Sequence, residues 1–132
     1  MGVSGLVRSV EVMTTTTAVT EFFDRYASAL LARDEKALAG LYAVPSLILF
    51  PGQAIAVSKE KQTENFFASS WDQYEGVTDA KPAITVVLEG PGTVWADVTW
   101  TFDGEPRERM CYQLIGEPGD FRIGVLTALE LE

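Results

Sequence analysis

The sequence predicts an α+β domain in which three N-terminal helices pack on a strongly curved, mainly antiparallel sheet that forms a conical barrel. Two observations carry this reading. Between Val19 and Tyr74 apolar residues recur at spacings of three and four in three separate stretches, whereas beyond Lys81 they alternate between tight Gly/Pro turns. The size agrees: 132 residues, 47% hydrophobic and 22% charged, suit one ordinary domain with its own core.

The first helix follows from Val19, Phe22, Phe23, Tyr26, Ala27, Leu30 and Leu31, which fall on one stripe, with Thr17 as N-cap and Glu21 at the positive end of the dipole. Asp34 caps a second helix through Ala37, Leu38, Leu41 and Tyr42, which Pro45 stops. Ser46–Phe50 and Ala54–Val57 flank Pro51-Gly52-Gln53 and read as a short strand pair. Ser58 then caps a third helix presenting Phe66, Phe67, Trp71 and Tyr74, with Gly76 as its stop. Four strands complete the chain: 83–89, 93–102, 108–115 and 121–130, broken at Gly90-Pro91-Gly92, 103–106 and 117–120. The domain is expected over residues 18–132. Residues 1–17 read as a disordered leader, and Met13-Thr14-Thr15 resembles a natural start.

Composition excludes several function classes. Ten Lys+Arg against 19 Asp+Glu give a net charge of −9, which repels nucleic-acid phosphates and anionic membranes. With no histidine and the single Cys111, the usual zinc sets, Ser-His-Asp and Cys-His nucleophiles and disulfides are absent. No cofactor is expected. A cytoplasmic location is expected too, since the sequence has neither an apolar run of membrane-spanning length nor a basic-then-apolar signal.

The run from Phe22-Phe23-Asp24-Arg25-Tyr26 through Arg33-Asp34-Glu35-Lys36 to Leu41-Tyr42, the strand ending Phe50-Pro51-Gly52, and Ser58 opening a Phe66-Phe67 helix resemble the nuclear transport factor 2-like superfamily. That superfamily of cone-shaped α+β barrels includes ketosteroid isomerase, limonene epoxide hydrolase, scytalone dehydratase and the SnoaL-like polyketide cyclases. The resemblance covers about residues 18 to 130. It places Tyr26 where the isomerases have an oxyanion-hole tyrosine, Phe50 where their general base stands, and Gln113 where their neutral acid stands. The Arg-x-Asp of the epoxide hydrolases has only Arg107-Glu108-Arg109 as counterpart, and the histidine of the dehydratases has none. The architecture is therefore expected with the known catalytic carboxylates replaced.

Period-two alternation places Val94, Ala96, Val98, Trp100 and Phe102 on the concave side of the sheet, with Trp95 convex. Continuing that parity turns Arg109, Cys111, Gln113 and Ile115 inward and Met110, Tyr112 and Leu114 outward. The expected ligand pocket is thus lined by Leu30, Phe50, Phe67, Trp71, Val98, Trp100, Arg109 and Cys111, and a homodimer interface by Trp95 and Tyr112. Tyr26 is either a core tyrosine or a pocket donor. Glu130 either pairs with Arg109 at the rim or, in an apolar pocket, serves as general acid or base. Asp103 fits a turn, and Cys111 a buried small side chain. Three readings result: a binding protein for an apolar organic molecule, with Tyr26 and Gln113 orienting it; an isomerase, cyclase or hydrolase acting on a steroid-, terpenoid- or polyketide-like substrate, with Tyr26, Gln113 and Glu130 as catalytic groups; or a protein–protein adaptor whose cone is filled.

Overall fold

The computed structural model describes residues 14–131. Helix α1 (Thr15–Leu31) begins earlier than the apolar stripe alone requires. Thr14 caps it, its hydroxyl accepting from the Thr17 amide at 3.1 Å, so Thr17 lies inside the first turn. Thr15–Thr17, assigned to the leader by sequence, are helical, and the rest of the leader lies outside the described residues. The buried stripe is the one read from spacing: Ala18, Val19, Phe22, Phe23, Tyr26, Ala27 and Leu30.

Arg33, at φ 54°, turns the chain directly into α2 (Glu35–Ala39), capped by Asp34 Oδ1 accepting from the Ala37 amide at 3.0 Å. The second helix does not reach Pro45. It ends at Ala39 and strand β1 (Tyr42–Phe50) starts three residues later. The sheet overrides local helical spacing here, because Tyr42 pairs with Ile123 and the Leu41 carbonyl accepts from the Ile123 amide at 2.8 Å. Pairing resumes at Leu47 opposite Val125, so Pro45, which has no amide to donate, sits in the irregular stretch between.

A turn at Gly52 (φ 72°) leads into β2 (Gln53–Val57). Helix α3 (Glu60–Ala68) opens one residue after the expected cap: Lys59 holds that position, and Gln62 Oε1 accepts from the Ser58 and Lys59 amides at 2.7 and 2.9 Å. The helix then breaks, and Trp71–Tyr74 forms a separate 3₁₀ turn. Strands β3 (Ala80–Gly90), β4 (Thr93–Phe102), β5 (Glu105–Ile115) and β6 (Arg122–Leu129) follow, β3 and β5 starting earlier than expected. The β4–β5 connection is a tight turn at Asp103 (φ 50°) and Gly104 (φ 87°), the sign pair of the hairpin turn whose twist matches the strands.

The six strands form one sheet, ordered β2-β1-β6-β5-β4-β3, in which only β1 and β6 run parallel. The sheet is curled and not closed. Its concave face packs under the helices, and β4 alternates strictly, Val94, Ala96, Val98, Trp100 and Phe102 being buried.

On β5 the expected parity is reversed, and one residue is responsible. Phe102 pairs with Glu105 and Thr101 with Pro106, but Trp100 pairs with Glu108, leaving Arg107 as a bulge. Directly opposed residues share a face, so Glu108, Met110, Tyr112 and Leu114 follow Trp100, Val98, Ala96 and Val94 onto the concave side. Arg109, Cys111 and Gln113 oppose Thr99, Asp97 and Trp95 and face outward. Without the extra residue every β5 side chain would change face. Tyr112, expected at a convex interface, is 2% exposed and accepts a hydrogen bond from Trp100 Nε1 at 2.9 Å.

Candidate functional site

Between the helices and the concave face lies a cavity of about 290 Å³. Helix α1 contributes Tyr26 and Leu30, and α3 contributes Phe66 and Phe67. The sheet supplies Phe50 from β1, Trp100 from β4, and Glu108, Met110 and Tyr112 from β5, with Leu126 from β6. Tyr74 of the 3₁₀ turn completes the wall. Gln53 and Gln73, both exposed, and half-buried Ser70 also line the space and mark where it meets solvent.

The aromatic wall is continuous. Tyr26 lies 5.5 Å, ring centre to ring centre, from Trp100 and 6.4 Å from Phe67; Phe67 in turn lies 5.3 Å from Phe66, which stacks on Phe50 at 6.0 Å. Such edge and offset contacts fix the rings more tightly than burial alone. The Tyr26 hydroxyl, 2.8 Å from the Tyr42 hydroxyl, is engaged within the protein. Burial pushes both phenols above their ordinary range, so they remain neutral.

One carboxyl enters this apolar space. Glu108 accepts from the Tyr74 hydroxyl at 3.1 and 3.4 Å on its two oxygens. Burial pushes its carboxyl up from the usual range, partly offset by the Tyr74 hydrogen bond and the Arg107 charge. Tyr74 is held in turn by Arg33. That guanidinium donates to the Leu30 and Leu31 carbonyls at the negative end of α1, to the Tyr74 carbonyl, and to the Val77 carbonyl at 3.2 Å, while lying 5.9 Å from the centre of the Trp71 ring. A cation at the end of the first helix thus sets the 3₁₀ turn that aims the Tyr74 hydroxyl at Glu108.

Several residues singled out from sequence meet at this cavity: Tyr26, Leu30, Phe50, Phe67 and Trp100. Trp71 and Val98 pack beside it without lining it. The Arg107 bulge carries Arg109, Cys111 and Gln113 to the outer face. There Arg109 clamps Asp97 through two hydrogen bonds of 3.0 and 2.6 Å, and Gln113 donates to Thr93 at 3.0 Å. Trp95 is half-buried on that same face. Glu130 is exposed beyond the end of β6, and its carbonyl accepts from Arg109 at 3.1 Å; among the described residues no ion pair joins the two side chains, and the Glu130 carboxyl does not line the cavity. Glu108 and Met110 were missed by the sequence reading. The signal was present, since the apolar alternation Leu114, Tyr112, Met110 extrapolates to Glu108. Among the described residues no cluster of three Asp, Glu or Cys side chains is placed to hold a metal, and no helix is long and apolar enough to cross a membrane.

The helices, the curled sheet and the cavity between them define the nuclear transport factor 2-like fold. Structures of this architecture align over most of the chain. An NTF2-like protein from Cytophaga hutchinsonii matches with a TM-score of 0.63 at 12% identity, over 90% of this chain and all (100%) of that one. A domain of unknown function with a cystatin-like fold from Nostoc punctiforme gives 0.64 at 13%, over 91% and 81%. A protein of unknown function from Mycobacterium tuberculosis gives 0.60 at 16%, over 85% and 69%. No family profile and no curated protein sequence matches the chain.

Proposed function

We propose that this protein binds a small, largely apolar organic molecule in the cavity, oriented by the Glu108–Tyr74 pair. The observation that carries the reading is a carboxyl group set among aromatic rings at the wall of a mainly aromatic and aliphatic space, with Gln53, Ser70 and Gln73 at its mouth, that its own side chains do not fill. Tyr26 contributes its ring to the wall rather than its hydroxyl, and Gln113 takes no part. At about 30 Å³ per small molecular unit the cavity suits a ligand of about ten non-hydrogen atoms. Such a space counts against the filled-cone adaptor.

The test is titration of ¹⁵N-labelled protein with neutral aromatic molecules of that size, following the Trp100 indole N–H, whose ring lines the cavity. Saturable shifts at Trp100, removed by Leu126→Trp, are expected. Shifts confined to outer-face residues such as Trp95, or none at all, overturn the reading.

A second reading, an isomerase, cyclase or hydrolase of this fold, is favoured by the placement of Glu108: a carboxyl on the cavity wall, hydrogen-bonded by Tyr74 and pushed up by burial, stands where it can exchange a proton with a bound molecule. In that reading Glu108 replaces Glu130 as acid/base and Tyr74 replaces Gln113 as donor. Turnover that Glu108→Gln abolishes while Trp100 still reports binding would establish it. Self-association through the outer face is likewise proposed, with Trp95 alone as the contact.

A further inference from the structure

We infer that the preferred occupant of this cavity is an organic cation, an ammonium group carried on an apolar body, recognised by the Glu108 carboxylate together with the surrounding aromatic faces. The inference rests on the binding role proposed above and names the ligand's charge. Among the described residues lining the cavity, Glu108 is the one acidic side chain, and none is Lys or Arg. Among the described residues Glu108 has no ion-pair partner, and its hydrogen bonds come from one neutral phenol, Tyr74. A half-buried carboxylate so placed has lost part of its hydration with only the exposed Arg107 charge nearby and no ion pair of its own, a cost that a cation brought from outside relieves.

The rest of the wall suits the same charge. Trp100, Tyr74, Phe66 and Phe67 present indole, phenol and phenyl surfaces around a space of ligand size, and ring faces attract ammonium groups most strongly where water is excluded. The chain's net charge of −9 acts in the same direction at longer range, raising the local concentration of cations and repelling anions. An anionic ligand would meet Glu108 unscreened. A neutral ligand would satisfy the rings and leave the carboxylate as it was.

The experiment compares benzyltrimethylammonium with its uncharged isostere neopentylbenzene, which has the same shape and eleven non-hydrogen atoms, each titrated against the full chain at pH 8 and pH 5 with the Trp100 indole N–H as reporter. The permanent charge of the probe leaves the protein as the side that titrates. Around Glu108 the other ionisable groups are Tyr74, Tyr42, Tyr112 and Arg107, and burial holds the three phenols above their ordinary range, neutral at both values. The expected result is about tenfold tighter binding of the cation at pH 8, with the advantage shrinking at pH 5 as Glu108 takes up a proton. Glu108→Gln should remove the preference, the cation then binding no more tightly than neopentylbenzene to the same variant. Tyr74→Phe, which keeps the carboxylate, should retain the preference and serves as the control if Glu108→Gln fails to fold. Equal or tighter binding of the uncharged isostere at pH 8 overturns the inference and leaves the binding role standing. Failure of both probes to shift Trp100 overturns both.

Discussion

The Tyr26–Tyr42 hydroxyl pair decides whether Tyr26 works for the core or for the ligand. Tyr26 is 4% and Tyr42 2% exposed, and their hydroxyls are 2.8 Å apart. Removing one partner from a buried hydrogen bond costs more than the bond's net worth of about 1 kcal/mol, because the remaining hydroxyl keeps its desolvation without a partner, about 1–3 kcal/mol. Tyr26→Phe is therefore expected to destabilise by about 2 kcal/mol, a drop of about 6–10 °C in Tm for a domain of this length. Tyr42→Phe should cost a similar amount. The double variant should cost clearly less than the sum, since it leaves no orphaned hydroxyl at this pair. Thermal and urea unfolding of the four proteins give the coupling directly. Additive losses, or a single variant with unchanged Tm, would refute the argument. A Tyr26→Phe protein of normal stability with tenfold weaker ligand binding would place the hydroxyl at the ligand instead.

The pH dependence of stability should carry two opposite signatures. Because the folded Glu108 has a raised pKa, its contribution is fully favourable below the unfolded carboxyl value and is lost as pH rises through the folded one. Glu108→Gln should thus gain on the wild type between pH 4.5 and pH 8, and parallel urea profiles would exclude this. Asp103 Oδ1 accepts from the Thr78 and Asp79 amides at 3.0 and 2.8 Å, bonds that hold its carboxyl below the usual range. Its contribution is present above the unfolded value and fades as pH falls through the folded one, so Asp103→Asn should lower Tm more at pH 7 than at pH 2.5. At Gly116, φ is 108° and an added Cβ would stand 2.9 Å from the Asp120 carbonyl oxygen; Gly116→Ala should cost about 1–3 kcal/mol in urea unfolding, and an unchanged midpoint would contradict this. Trp95→Glu should convert a dimer to monomers in sedimentation, and an intact dimer would remove Trp95 from the interface.

The sequence exposes those features in which local chemistry and tertiary demand agree. The α1 stripe, the Asp34 cap and the strict alternation of β4 are all of that kind: spacing, a short polar side chain before a helix, and period two each have one solution. Reading fails where a distant partner decides. Leu41 and Tyr42 carry helical spacing, but pairing with Ile123 draws the chain into the sheet. The Arg107 bulge has no residue-type signature, and parity carried across it exchanged Met110 and Tyr112 for Arg109, Cys111 and Gln113. Glu108 was hidden by that same slip. Arg33 was hidden for another reason, since its partners Tyr74 and Val77 lie some forty positions away and accept through backbone carbonyls, which no side-chain pattern encodes.

The bulge also bears on how chains of this fold are to be lined up. Arg107 is one residue of slack between the hairpin turn and the first cavity-facing position of β5. A relative lacking that slack can keep the same interior with a strand one residue shorter. Matching it to this chain without a gap sets its cavity-facing positions against Arg109, Cys111 and Gln113, and makes a retained carboxyl look lost. A gap at Arg107 restores Glu108, Met110, Tyr112 and Leu114 as the comparable set. For this chain, resemblance at the cavity is therefore to be judged from strand pairing rather than from position number.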